Sequence, residues 1–160
     1  MKLTIIAGVI LLSGFANPVY AGCGNGPSTL NQAQLNLILA GNFACGQSTS
    51  LNAPGWNEKH VGSSGGTLVE QHDAGAADDE NVGSWSTSTS GKVGRVTYSY
   101  TGGPSPVYEV AVVANGNCNP TCTTLPQTYA FCGVGGGAPA ILQILVTAAL
   151  PTLTSCPSNP

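Results

Sequence analysis

Charge is what this sequence has least of: only 7% of its 160 residues are Asp, Glu, Lys or Arg, and only four are basic. At a formal net charge of −3 no basic surface exists to neutralise phosphates and release counterions, which excludes nucleic-acid binding. The same scarcity excludes a tail kept disordered by its own charge, while 42% hydrophobic residues is ordinary for a domain that folds. Neither Cys-x-x-Cys nor Cys-x-x-Cys-His occurs, so the motifs of thioredoxin-like redox sites and of attached haem are missing. No internal repeat and no cofactor motif is present.

A membrane-spanning helix is excluded for a different reason. The uncharged, mostly apolar run from Leu3 to Ala16 has 14 residues, too few to cross the ~30 Å hydrocarbon core. Lys2 precedes it, Pro18 breaks it, and Val19 and Ala21 stand at the −3 and −1 positions of a cleavage site. This pattern predicts a signal peptide over residues 1–21, a single secreted or periplasmic domain over 22–160, and no transmembrane span in the mature chain. Tyr20-Ala21-Gly22-Cys23 also resembles a lipobox. Tyr20 is a poor residue for that motif, and lipidating Cys23 would leave an odd number of cysteines. The mature chain keeps Lys59, Lys92 and Arg95 against seven acidic residues.

Six cysteines, Cys23, Cys45, Cys118, Cys122, Cys132 and Cys156, follow the cleavage site, and three disulfides are the expectation outside the cytoplasm. Spacing alone leaves the pairing open. Proximity along the chain favours Cys23 with Cys45, leaving the other four to tie the C-terminal half. Oxidation also removes these thiols as metal ligands.

One helix is legible. Thr29 and Gln32 form a capping box, Leu30, Ala33, Leu37 and Ile38 recur at helical spacing, and Gly41 ends the run. Beyond it, short β-branched and aromatic runs separated by Gly, Ser, Asn and Pro read as antiparallel strands. They fall near Phe43–Gly46, Trp56–Val61, Thr67–His72, Gly83–Thr89, Arg95–Tyr100, Val107–Ala114 and Thr128–Gly133. Ile141–Thr147 suits an eighth strand or a short core helix, with strand preferred. Alternation places Val96, Tyr98 and Tyr100 on one face and Arg95, Thr97 and Ser99 on the other, and Trp85, Tyr98 and Val110 are expected to meet on adjoining strands. Seven or eight short strands must hide their edges. The expected fold is therefore mainly β: a small antiparallel barrel or two-layer sheet on a lipocalin-like plan, with one N-terminal helix plugging an end and disulfides bracing it.

The runs Asn36-Leu37-Ile38-Leu39-Ala40-Gly41-Asn42-Phe43-Ala44-Cys45, Trp56-Asn57-Glu58-Lys59-His60, Gly65-Gly66, Val82-Gly83-Ser84-Trp85, Val96-Thr97-Tyr98-Ser99-Tyr100 and Tyr129-Ala130-Phe131-Cys132-Gly133 resemble small exported proteobacterial proteins of uncharacterised function. The resemblance extends from about Leu30 to Gly133 through short motifs and implies a shared sheet plan, with no functional residue to carry over. Between Ala74 and Asn81 this chain departs from that pattern, which has a longer loop with basic and proline residues.

Candidate chemistry is sparse. Gly62-Ser63-Ser64-Gly65-Gly66 satisfies Gly-x-Ser-x-Gly, but a strand, Thr67-Leu68-Val69-Glu70, follows where a nucleophile elbow needs a helix, so a turn is expected. His60 and His72 fall in neighbouring strands, each two residues after a glutamate, Glu58 and Glu70. Two-residue spacing puts each pair on one face, and pairing across the turn would gather two imidazoles and two carboxylates, a set able to hold zinc or copper or to move protons. The plainer expectation is a wet face exposing Glu58, Lys59 and His60. Asp73, Asp78, Asp79 and Glu80 lack EF-hand spacing and read as a solvated acidic loop. Trp56, Trp85, Tyr98, Tyr100 and Tyr108 could fill a core or line a ligand pocket. Trp85 and Tyr98 are assigned to the core, whereas Tyr100 and Tyr108 suit either role.

No nucleophile, base and orienting group share a spacing that resembles a reaction site. The function expected from sequence is a secreted or envelope-associated, non-catalytic binding module for a small molecule or protein. The alternatives are a self-associating subunit of an extracellular fibre or coat, and a small metal-binding protein using His60 and His72.

Overall fold

A computed structural model describes residues 23, 28–46, 57–70, 80–113, 123–138 and 141–148. The expected signal peptide, Trp56, His72, Asp73, Asp78, Asp79, Cys118, Cys122 and Cys156 lie outside the described residues.

One helix, α1 (Gln32–Leu39), precedes eight strands: β1 (Phe43–Gly46), β2 (Asn57–Gly62), β3 (Gly65–Glu70), β4 (Glu80–Ser90), β5 (Val93–Tyr100), β6 (Val107–Val112), β7 (Gln127–Gly135) and β8 (Ile141–Thr147). Each strand pairs antiparallel with the next, and β1 pairs with β8, so the sheet closes as an up-and-down barrel. Closure removes the sheet edges, which settles the choice between barrel and layers.

The register places alternate residues inward. Trp85 opposes Tyr98, and Val96 opposes Tyr108. Leu68, Trp85, Val96, Tyr98, Tyr108, Val110, Phe131, Ile144 and Val146 share one buried core. Ser84, Ser86, Ser88 and Ser99 are exposed on the outer faces of β4 and β5, where a lipid-facing wall would be apolar. Among the described residues no helix is long and apolar enough to cross a membrane. The Gly-x-Ser-x-Gly segment is the β2–β3 hairpin: Gly62 and Gly66 oppose each other and Ser63 and Ser64 are exposed at its tip. In the β4–β5 hairpin, Ser90 pairs with Val93 and Gly91 supplies the left-handed φ of +64° that the short turn requires.

The helix differs from the sequence expectation in cap and face. Asn31 is the N-cap: its Oδ1 accepts from the Gln34 amide at 3.0 Å, while the Gln34 Oε1 accepts from the Asn31 amide at 2.9 Å. Thr29 cannot cap because it bridges to Ala111. The Leu30 amide donates to the Val110 carbonyl and the Gly94 amide donates to the Leu30 carbonyl, so residues 28–30 lie in the seam where β5 and β6 part. Leu30 thus separates Val110 from β5, and of the expected trio only Trp85 and Tyr98 pair directly. With the start fixed there, the buried residues of α1 are Leu35, Ile38 and Leu39, while Ala33 is exposed and Leu37 is 66% exposed.

Eight residues are too few for a stable isolated helix, so packing holds α1 in place, each buried Leu or Ile contributing roughly 2 kcal/mol. Gln32 Nε2 donates to the Thr87 carbonyl at 3.0 Å and Thr87 Oγ1 bonds Asn36 Oδ1 at 2.6 Å, pinning α1 across β4 and β5. A Cβ at Gly94 would stand 2.6 Å from the Asn31 carbonyl carbon, so only glycine admits the helix this close. The helix therefore caps the barrel end where β1, β3, β5 and β7 begin.

The disulfide pairing also differs. Cys23 bonds Cys132, 109 residues away, on the outer face of β7, and Cys23 Sγ lies 3.4 Å from the Glu109 carbonyl. Cys45, on β1, is disulfide-bonded to a partner outside the described residues. Nearness along the chain misled because the strand order sets which outer faces adjoin. Beside Cys132, on β6, Glu109 Oε1 accepts from Arg95 Nη2 at 3.0 Å and from Nε at 3.2 Å.

Candidate functional site

At the end of the barrel away from α1, β2 and β3 bring Glu58 opposite Glu70, and β4 brings Glu80 opposite Glu70. Glu58 and His60 are not on a wet face: they are 5% and 0% exposed, pointing inward, while Lys59 points outward over the Phe43 ring. The pattern Asn-Glu-Lys-His conceals this because its inward positions are as polar as its outward one. A strand near a barrel mouth can hold polar groups inside when other inward side chains receive them.

Tyrosines from the far wall do so. His60 Nε2 lies 3.0 Å from Tyr98 Oη, and the Tyr100 hydroxyl hydrogen-bonds the Glu58 carboxyl. His60 meets Trp85 edge-on with ring centres 5.1 Å apart, and Tyr98 meets Tyr108 at 6.0 Å; Tyr108 in turn meets Phe131 at 5.9 Å. Tyr100 stacks on Tyr98 at 6.2 Å and is partly exposed at the mouth. An aromatic belt thus runs from β4 through β2, β5 and β6 to β7.

Two polar atoms inside it have no hydrogen-bond partner among the described residues: Glu58 Oε2 and His60 Nδ1. A buried polar atom left unsatisfied costs about 1–3 kcal/mol, so two on one wall single out this end of the barrel.

The electrostatics follow from burial. Desolvation pushes Glu58 up to about 7, aided by the Glu70 charge and opposed by the Tyr100 hydrogen bond. Burial holds His60 down to about 4, against the pull of the Asn42 and Glu58 backbone carbonyls, so the ring is neutral at physiological pH. The Tyr98 and Tyr100 phenols are raised by burial and by the Glu58 charge, and Tyr108 is raised to about 12 for the same reasons; all three stay protonated.

No family model, characterised protein or solved structure matches this chain.

Of the residues singled out in sequence, Glu58, His60 and Glu70 come to one inner wall, with Tyr100 and Tyr108 across from them. Among the described residues no group of three His, Cys, Asp or Glu is placed to share an ion, so Glu58, His60 and Glu70 by themselves do not make the metal arrangement expected with His72. His60 opposes Leu68, its Nε2 is engaged by Tyr98, and His72 lies outside the described residues. Tyr98, assigned to the core, does fill it and also partners His60.

Proposed function

We propose that this chain is an exported, non-catalytic binding module that holds one small organic molecule inside the barrel, at the end opposite α1. The observation that carries the reading is the orphaned Glu58 Oε2, buried within an aromatic belt. An eight-stranded barrel has room for its own side chains or for one small ligand. Aromatic walls with a few converging polar groups are the usual makeup of such sites.

Export is supported by the N-terminal pattern and by the disulfides of Cys23 and Cys45, bonds that persist outside the cytoplasm. Closure of the sheet weighs against the coat-subunit alternative, since it offers no free edge for strand addition.

Native mass spectrometry of protein from its own culture medium tests the reading. The expected result is an adduct of a few hundred daltons or less, lost when Tyr108→Trp crowds the mouth. An adduct that survives Tyr108→Trp, together with no thermal shift from a chemically varied compound panel, would overturn it. A carboxyl poised near 7 also suits proton transfer. Bound compounds are therefore followed by mass for turnover, and conversion abolished by Glu58→Gln would replace binding with catalysis.

A further inference from the structure

Resting on that reading, we infer that the ligand is an organic cation: a protonated amine on a small apolar or aromatic body, its N–H donating to Glu58 Oε2.

Three observations set the sign. The orphaned atom belongs to a carboxyl whose one hydrogen-bond partner among the described residues is the Tyr100 hydroxyl, so the ionised group has an acceptor to spare and no counter-charge among those residues. Glu70 faces Glu58 in register from β3, adding negative charge at the same end. The described cations all lie elsewhere: Lys59 over Phe43 outside the barrel, Lys92 in the β4–β5 turn at the helix end, and Arg95 held outside by Glu109. An anionic ligand such as a fatty acid would meet carboxylates here, with no base to receive it.

The walls set the shape. The faces of Tyr98, Tyr108 and Trp85 carry negative quadrupole density, which attracts a cation and accepts an apolar body equally well. The groups facing the Glu58 carboxyl are Tyr98, Tyr100, Tyr108 and Glu70, with His60 beside it on the same strand; none is a cation near neutral pH. A bound ammonium would therefore be the one positive charge among the described residues of the cluster. Because it fixes Glu58 as the carboxylate, binding below about pH 7 releases a proton, and affinity falls by up to about tenfold per pH unit in acid.

The test is calorimetry of the disulfide-intact chain with three compounds of one skeleton: 2-phenylethylamine, 2-phenylethanol and phenylacetate. The amine is expected to bind at pH 8 at least tenfold more tightly than either analogue and about tenfold more tightly than at pH 6. Glu58→Gln should remove the amine's advantage over the alcohol and the pH dependence of its binding. If Glu58→Gln fails to fold, the wild-type pH dependence decides the same question. Equal or tighter binding of the alcohol or phenylacetate overturns the cation assignment and leaves the binding site standing, as would a native adduct, identified by mass spectrometry, that carries no cationic group. Failure of all three compounds to bind at millimolar concentration overturns the assignment for this ligand class, and an empty compound panel removes the site reading as well.

Discussion

Replacing Glu58 by Gln turns the buried pair on β2 into a measurement. Folding raises Glu58 from 4.5 to about 7, so between those values the folded chain keeps a proton that the unfolded chain has lost, and stability falls as pH rises through the window. At about 1.4 kcal/mol per pH unit this is worth about 3 kcal/mol. Folding lowers His60 from 6.5 to about 4, so there the unfolded chain takes the proton first and stability is lost as pH falls through that window. From about 4.5 to 6.5 the pair binds one proton in either state: on the carboxyl when folded, on the imidazole when unfolded. The two dependences cancel, and the wild type shows no net slope from this pair. In Glu58→Gln the cancellation ends. Urea unfolding followed by circular dichroism should give a variant-minus-wild-type stability that climbs by about 3 kcal/mol between pH 4.5 and 7.5. The subtraction removes the titration of other carboxylates. A difference that stays flat within about 0.5 kcal/mol would mean that Glu58 ionises as it does in water, and the argument from its burial would be wrong.

Four further outcomes are expected. His60→Gln should show the opposite trend, gaining about 3 kcal/mol of stability relative to wild type as pH falls from 6.5 to 4, on top of its constant cost of lost packing; the check is the same urea series. Gly94→Ala presses a methyl group on the Asn31–Gln32 backbone and should cost about 1–3 kcal/mol, read as a lower urea midpoint at unchanged m-value. Replacing Cys23 and Cys132 together by Ser opens a link of 109-residue separation and should cost about 2–5 kcal/mol in thermal unfolding. A double-mutant cycle of Arg95→Met and Glu109→Gln should return a coupling near ~1 kcal/mol, modest because Arg95 is 36% exposed although Glu109 is buried.

The eight strands were legible because each apolar run is short and bounded by Gly, Ser, Asn or Pro. On β5 the period-2 contrast between Val96-x-Tyr98-x-Tyr100 and Arg95-x-Thr97-x-Ser99 identified the inner face directly. On β2 that contrast vanishes. Glu58, Lys59 and His60 are all polar, and their inside and outside follow only from neighbours on β1, β3 and β5 that no local pattern reveals. The helix was visible by composition, but its start depends on Leu30 being held by β5 and β6, a contact more than sixty residues away. The Cys23–Cys132 bond was hidden for the same reason. The candidate site was half legible: its glutamates, histidine and tyrosines stood out by type, while their convergence required the closed register. A buried acid with an unfilled acceptor has no signature in sequence at all.

Leu30 also makes the stretch ahead of the helix a latch on the barrel wall. Its amide and carbonyl reach different strands, and the Val112 amide depends likewise on Ser28, while β5 and β6 pair with each other directly only over Arg95–Thr97 and Val107–Glu109. Deuterium should therefore enter Leu30, Gly94 and Val112 together, as a single unzipping unit, ahead of the amides shared by β4 and β5. A cut or bulky tag placed just before Ser28 would loosen the wall far from itself in sequence.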